Sequence, residues 1–184
     1  RGGGGVGAAA GGGLRGRVRL LLAAMEKGGR GVDRRIEALD EEFAEMARND
    51  PAARRLATVP GIGVLNATAI IAAVGDATTF GRARDLAAWL GLVPRQATTG
   101  GKPKLLGITK RGSRYLRKLL IQGARAALPG LAKAATPLGA WLRGLLSRTH
   151  ANAVVVALAA KMARISWALL RKEESFVAGR TAAA

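Results

Sequence analysis

The sequence contains no cysteine, a single histidine and few aromatic residues, and beyond residue 76 it carries almost no acids. Without cysteine there is no disulfide framework, no Cys-based zinc site and no thiol nucleophile. His150 has no identifiable catalytic partner and reads as a surface or capping residue ahead of the last helix. The longest unbroken apolar runs, such as residues 153–160, are about eight residues long, where a membrane helix requires roughly 18–20. No secretory leader is readable, so a cytoplasmic protein with no membrane partner is expected. Between Ala77 and Lys172 the only acid is Asp85, which leaves too few carboxylates there to assemble a metal-dependent nuclease.

Basic residues are plentiful. The 184 residues hold 30 Lys and Arg against 12 Asp and Glu, a formal charge of +18. Residues 1–76 are nearly balanced, with 11 basic and 9 acidic groups, whereas residues 77–184 hold 19 basic and 3 acidic groups. So long a stretch of one sign repels itself unless a polyanion neutralises it. Nucleic acid is the partner this charge calls for, and Arg-rich coding is the bland contributor to the same count.

The patterning predicts a mostly α protein. Residues 1–32 are Gly-rich and read as a disordered or non-native leader; the chain opens on Arg1 rather than Met, as expected of a fragment. Ile36, Leu39, Phe43 and Met46 follow the 3-4-3 spacing of a coiled-coil seam, giving a helical arm over residues 33–50. The acids around that seam, Asp40, Glu41, Glu42 and Glu45, point in several directions and form a solvated face rather than a metal cluster. Asn49-Asp50-Pro51 ends this helix and caps the next. A helical domain then spans residues 51–176, with a frayed tail over 177–184. Within it, helices are expected over residues 52–59, 64–74, 80–90, 113–128, 137–146 and 151–172. Gly91 stops the third of these in the manner of a Schellman cap, and Thr136-Pro137 opens the fifth. Trp89, Trp141 and Trp167 are expected in the core.

Two motifs carry candidate chemistry. Val59-Pro60-Gly61-Ile62-Gly63 joins two helices in a helix-hairpin-helix pattern. Gly61 and Gly63 would let the backbone approach a phosphate that faces the free N–H groups of the following helix; an ordinary turn between packed helices has the same sequence. The segment from Thr98-Thr99-Gly100-Gly101-Lys102-Pro103-Lys104 to Ile108-Thr109-Lys110-Arg111-Gly112 is a basic loop or short hairpin turning at Gly100-Gly101. Its hydroxyls and lysines suit a phosphodiester, bound or attacked. It lacks the spacing of a nucleotide-binding P-loop. Arg114, Arg117 and Lys118 extend the basic surface, and Tyr115 between them reads as a packing or phosphate-contacting residue rather than a tyrosine nucleophile.

Together with Ala73-Val74-Gly75-Asp76, Leu86-Ala87-Ala88-Trp89-Leu90-Gly91-Leu92-Val93-Pro94-Arg95 and the final helix, these blocks resemble the C-terminal domain of transposases of the insertion sequence 110 and 1111 family over about residues 34–172. The resemblance implies a DNA recombinase that inserts and excises its element, guided in characterised members by a structured RNA. It implies a full chain with an N-terminal RNase H-like nuclease domain that holds the divalent metal, so no cofactor is expected in this chain. It also implies a C-terminal domain whose serine forms a covalent link to DNA. The position of that serine, ahead of Gly-Gly-Lys, is Thr99 here, and the family's Ile-Ser-Lys-Arg-Gly block has Thr109. Thr99 is thus the expected nucleophile. Gly61, Gly63, Lys102, Lys104, Lys110, Arg111, Arg114, Arg117 and Lys118 are expected to contact nucleic acid, and the arm to make a homo-oligomer. The alternatives are a non-catalytic nucleic-acid-binding remnant or helix-hairpin-helix module, and a basic RNA-binding protein.

Overall fold

The computed structural model describes residues 10–179, with side chains from residue 16. Its described part is mostly α: seven helices and one two-stranded antiparallel sheet. The chain divides into two units, residues 1–42 and 43–184.

The described residues of the first unit are helical. α1 spans Ala10–Asn49, its last turns belonging to the second unit. This corrects the expectation that residues before Asp33 form a disordered leader; only residues 1–9 of that leader lie outside the described part. The physical reason is that the apolar spacing does not stop at the glycines. Val18, Leu22, Met25 and Val32 continue the seam of Ile36 and Leu39 in 3-4 steps, with Gly29 at one seam position. The glycines lower helix propensity without a steric break. The seam is open: Val18, Leu22, Met25, Val32, Ile36 and Leu39 are all exposed.

The second unit is built around α7 (Ala151–Lys172), whose Val154, Val155, Leu158, Ala159, Met162, Ala163, Ile165, Leu169 and Leu170 are buried. A helix apolar on nearly every side belongs at the centre of a bundle. α2 (Pro51–Ala57), α4 (Ala83–Trp89), α5 (Arg114–Lys133) and α6 (Pro137–Leu146) pack on it. α3 (Val64–Val74) packs on α2 and α5. By length and composition alone α7 could cross a membrane, which the count of unbroken apolar runs does not register; its buried residues are covered by neighbouring helices.

Local chemistry sets the helix ends. Asp50 caps α2, its Oδ1 accepting from the N–H groups of Ala52 at 2.7 Å and Ala53 at 3.3 Å, with Pro51 as the first helical residue. Thr136 caps α6 by accepting from Gly139 N–H at 3.1 Å, and His150 caps α7 through Nδ1, which accepts from Asn152 N–H at 3.2 Å. Gly91 (φ +71°) ends α4 in a Schellman motif, with Leu92 N–H donating to Ala87 O and Gly91 N–H to Ala88 O. α5 runs five residues beyond the expected end at Leu128, through Pro129. Proline removes the one donor that would serve Arg125 O; at the helix end, Arg143 donates to Ala132 O at 2.8 Å and Ala134 O at 3.0 Å. After α7 the chain returns to α2, with Phe176 N–H donating to Thr58 Oγ1 at 2.9 Å. Of the expected frayed tail, residues 178–179 form a turn and 180–184 lie outside the described residues.

A basic hairpin and loop as the candidate nucleic-acid interface

The segment expected to be a loop or hairpin is a hairpin. β1 (Pro94–Thr99) pairs antiparallel with β2 (Lys102–Ile108) across the two-residue turn Gly100-Gly101. Both turn residues have positive φ, 58° and 75°, the geometry of a type I′ turn that matches strand twist and strongly favours glycine. The hairpin stands clear of the helices. Every residue in it is exposed except Ala97 and Ile108.

Register decides which side chains can act together. Thr99 pairs directly with Lys102, and Ala97 with Lys104, whereas Thr98 pairs with Pro103. Side chains alternate between faces along a strand, and directly opposed residues share a face. Thr99, Lys102 and Lys104 therefore lie on one face at the tip, with a hydroxyl beside two cations, and Thr98 lies on the other. An irregularity between Pro94 and Gln96 shifts the pairing near the base.

The base is clamped to the end of α4. Thr109 N–H donates to Val93 O at 2.9 Å and Lys110 N–H to Gly91 O at 3.1 Å. Lys110 takes a left-handed conformation (φ +56°), a cost for a non-glycine residue that the surrounding contacts must offset. The approach is backbone to backbone: a Cβ on Gly91 would collide with the Arg111 carbonyl, and one on Gly112 with the Trp89 carbonyl. One guanidinium nitrogen of Arg117 donates to both Leu90 O and Arg111 O, each at 3.0 Å. Arg117 thus braces the loop, a role that its place in a run of basic residues does not reveal. Lys102, Lys104, Lys110, Arg111, Arg114 and Lys118 are exposed. Thr109 Oγ1 is buried without a hydrogen-bond partner.

The Gly61 turn packs against α5, as an ordinary turn between packed helices would. Gly61 (φ +90°) faces α5, where a Cβ would meet the Gly123 carbonyl at 2.5 Å. Asn66 Nδ2 donates to Gly61 O at 3.0 Å and to Leu119 O at 3.4 Å, tying the turn to α5. The small residue at Gly61 is thus required by helix packing. Gly63, the N-cap of α3, has open space around it.

Two aromatics depart from the expected core packing or sit beside the loop in the open. Trp89, the last residue of α4, is 40% exposed, and Tyr115, in the first turn of α5, is 56% exposed. Trp141 and Trp167 pack against the core as expected; Trp167 Nε1 donates to Phe80 O at 2.9 Å, and the Lys161 ammonium lies 5.0 Å from the Trp141 ring centre. Burial, reinforced by the Arg164 charge, holds the Lys161 amine below the usual lysine range. Away from the hairpin, Asp76 accepts from Thr78 N–H at 3.0 Å and Thr78 Oγ1 at 2.7 Å, which lowers its pKa. Among the described residues no three His or acidic side chains are grouped to hold a metal ion.

Residues 53–135, which contain the Gly61 turn, the hairpin, its clamped base and α5, match the family model described as the transposase IS116/IS110/IS902 family. This stretch belongs to that family. It is 48% identical over 148 residues to a Pseudomonas aeruginosa protein named "Probable family 20 transposase", an alignment covering 80% of this chain and 44% of the relative. It is 43% identical over 147 residues to a Coxiella burnetii transposase for insertion sequence element IS1111A (80% and 40% of the two chains). A Yersinia enterocolitica transposase for element IS1328 is 44% identical over 132 residues (72% and 40%). The chain therefore spans less than half the length of the relatives it matches.

Proposed function

We propose that this chain serves DNA transposition as the C-terminal portion of an insertion-sequence transposase, gripping the DNA backbone and supplying a hydroxyl nucleophile for strand cleavage and rejoining. The observation that carries this reading is the hairpin tip, where Thr99 shares one exposed face with Lys102 and Lys104. A two-stranded ribbon is narrow enough to enter a DNA groove. Lys110, Arg111, Arg114 and Lys118 extend the cationic surface from the hairpin base, with Arg117 positioning it. The open N-terminus of α3 at Gly63 gives the α2–α3 pair a further backbone contact of the helix-hairpin-helix kind. Such a role belongs in the cytoplasm, where the DNA is.

In the proposed step, the Thr99 hydroxyl oxygen attacks phosphorus while its proton passes to solvent. The bond from phosphorus to the departing sugar oxygen breaks, and that oxygen takes up a proton. The lysines offset charge on the non-bridging oxygens as it builds, and the phosphodiester to Thr99 keeps the bond energy for rejoining. A structured RNA as guide and pairing of arms through the exposed α1 seam complete the proposal; divalent metal chemistry would lie in the remaining part of the transposase.

The test is a nicked suicide DNA that traps the covalent intermediate. An adduct that forms with the native chain and vanishes with Thr99→Ala supports the nucleophile. A second reading, a non-catalytic DNA-binding module, is favoured by the threonine itself, whose β-methyl restricts χ1 and crowds in-line attack. If no adduct forms even with Thr99→Ser, while DNA is still bound, the second reading replaces the first.

A further inference from the structure

We infer that Trp89 and Tyr115 form a stacking platform for unpaired bases of DNA beside the basic loop. This inference rests on the DNA-binding reading above and adds to it the form of DNA the site prefers.

The first observation is where the exposed aromatics are. The protein has seven aromatic residues. Phe80, Trp141, Trp167 and Phe176 pack against the core and Phe43 is half-buried, whereas Trp89 and Tyr115 are exposed. These two lie at the two ends of the segment that carries the hairpin, where the end of α4 meets the loop before α5. Trp89 ends α4, and its carbonyl is pressed against Gly112; Tyr115 follows Gly112 by three residues, no more than about 11 Å of extended chain. Two isolated exposed rings would call for no explanation. Two at the same junction, on a chain that otherwise shelters its rings, form a surface.

The second observation is rigidity. A stacking face must hold its place without a base on it. The Trp89 ring is held edge-on by Phe80, with ring centres 5.6 Å apart and planes at 62°. Phe80 is in turn fixed by the hydrogen bond from Trp167 to its carbonyl. Tyr115 sits one residue after the Ser113–Arg114 start of α5, where Ser113 Oγ accepts from Leu116 N–H at 3.3 Å, and the Arg117 brace joins the end of α4 to Arg111. Both platform residues are therefore on elements locked to the same loop.

The third observation is charge. Lys110 and Arg111 belong to the loop that meets the end of α4 at Gly91, Arg114 and Lys118 share α5 with Tyr115, and all four are exposed. Cations that follow a phosphate backbone, interleaved with rings on which bases stack, are the recurring chemistry of single-strand binding. In a closed duplex the base faces are covered by their neighbours, so rings placed this way are satisfied only where bases are unstacked or unpaired. DNA rather than RNA is the strand assigned, because the platform shares its loop with the base of the hairpin that carries Thr99.

The test compares two DNA probes of matched sequence and charge, a continuous duplex and the same duplex with a short single-stranded gap, bound by the full chain at fixed salt. The expected result is tighter binding to the gapped probe, lowered about tenfold by Tyr115→Ala and kept by Tyr115→Phe, with duplex affinity nearly unchanged by either. Trp89→Leu should act in the same direction as Tyr115→Ala, with circular dichroism confirming the fold. Because stacking releases no counterions, the preference for the gap should persist as salt rises. Equal affinity for both probes, or an equal loss on both in Tyr115→Ala, overturns the platform and leaves the DNA-binding reading standing. Absence of binding to either probe overturns both. Preference for the same gap built in RNA overturns the assignment to DNA.

Discussion

Thr109 shows how a single hydroxyl can be read from two sides. Its Oγ1 is buried at the hairpin base with no hydrogen-bond partner, while its backbone N–H is engaged with Val93. An unpaired buried hydroxyl carries a desolvation cost, and removing it is nearly neutral or favourable when shape is kept. Thr109→Val should therefore leave stability unchanged or raise it by up to about 1 kcal/mol, measured from the denaturant midpoint. A loss of more than about 1 kcal/mol would mean that the hydroxyl is bonded in solution. At this scale the sequence distinguishes neighbouring residues poorly. Thr98 and Thr99 are chemically alike, and only the register across Gly100-Gly101 sends them to opposite faces. Arg114 and Arg117 look interchangeable in a basic run, yet one is exposed and the other is anchored on the carbonyls of Leu90 and Arg111. Leu90 is 27 residues away, a distance no periodicity encodes.

Helices were legible where their ends carry chemistry. α6 and α7 begin and end as expected because Thr136-Pro137 and His150 cap their starts, and the seam of α7 is unbroken. α5 runs past Leu128 because Pro129 removes only the donor that would serve Arg125 O, while the carbonyls at the true end, Ala132 O and Ala134 O, accept from Arg143. The Gly100-Gly101 turn is legible because a tight hairpin turn selects that pair. The Gly61 turn is not, since glycine for phosphate approach and glycine for contact with Gly123 look identical in one dimension. α1 extends beyond the expected arm for a related reason: Gly28, Gly29 and Gly31 lie in the Gly-rich stretch that reads as a leader, although the apolar phase continues through them. A Cβ at each of the three would meet nothing within 4 Å, so alanine costs no packing there. Replacing all three with alanine should add about 1 kcal/mol of helix stability per site, visible as raised helical ellipticity and a higher melting temperature of the arm. No gain in either would show that the segment around residues 28–31 is not helical in the free chain.

For the whole molecule, the uneven charge is the most direct handle on function. The excess lies beyond Asp76, and the fold gathers part of it onto the exposed hairpin and loop: Lys102, Lys104, Lys110, Arg111, Arg114 and Lys118. If these six cations each neutralise a phosphate, their counterions are released on binding. The logarithm of the duplex-DNA association constant should then fall against the logarithm of salt concentration with a slope of about −5. Replacing Lys102 and Lys104 with glutamine should flatten that slope by about 2 and weaken binding by the same factor on unrelated sequences. Replacing Lys133 and Arg148, which lie outside this cluster, should leave the slope nearly unchanged. The comparison separates a located interface from charge spread over a basic protein, because a diffuse surface would lose about the same slope from either pair. A slope near zero for the native chain would remove the phosphate backbone as the ligand of this face, and the hairpin's lysines would then need another explanation.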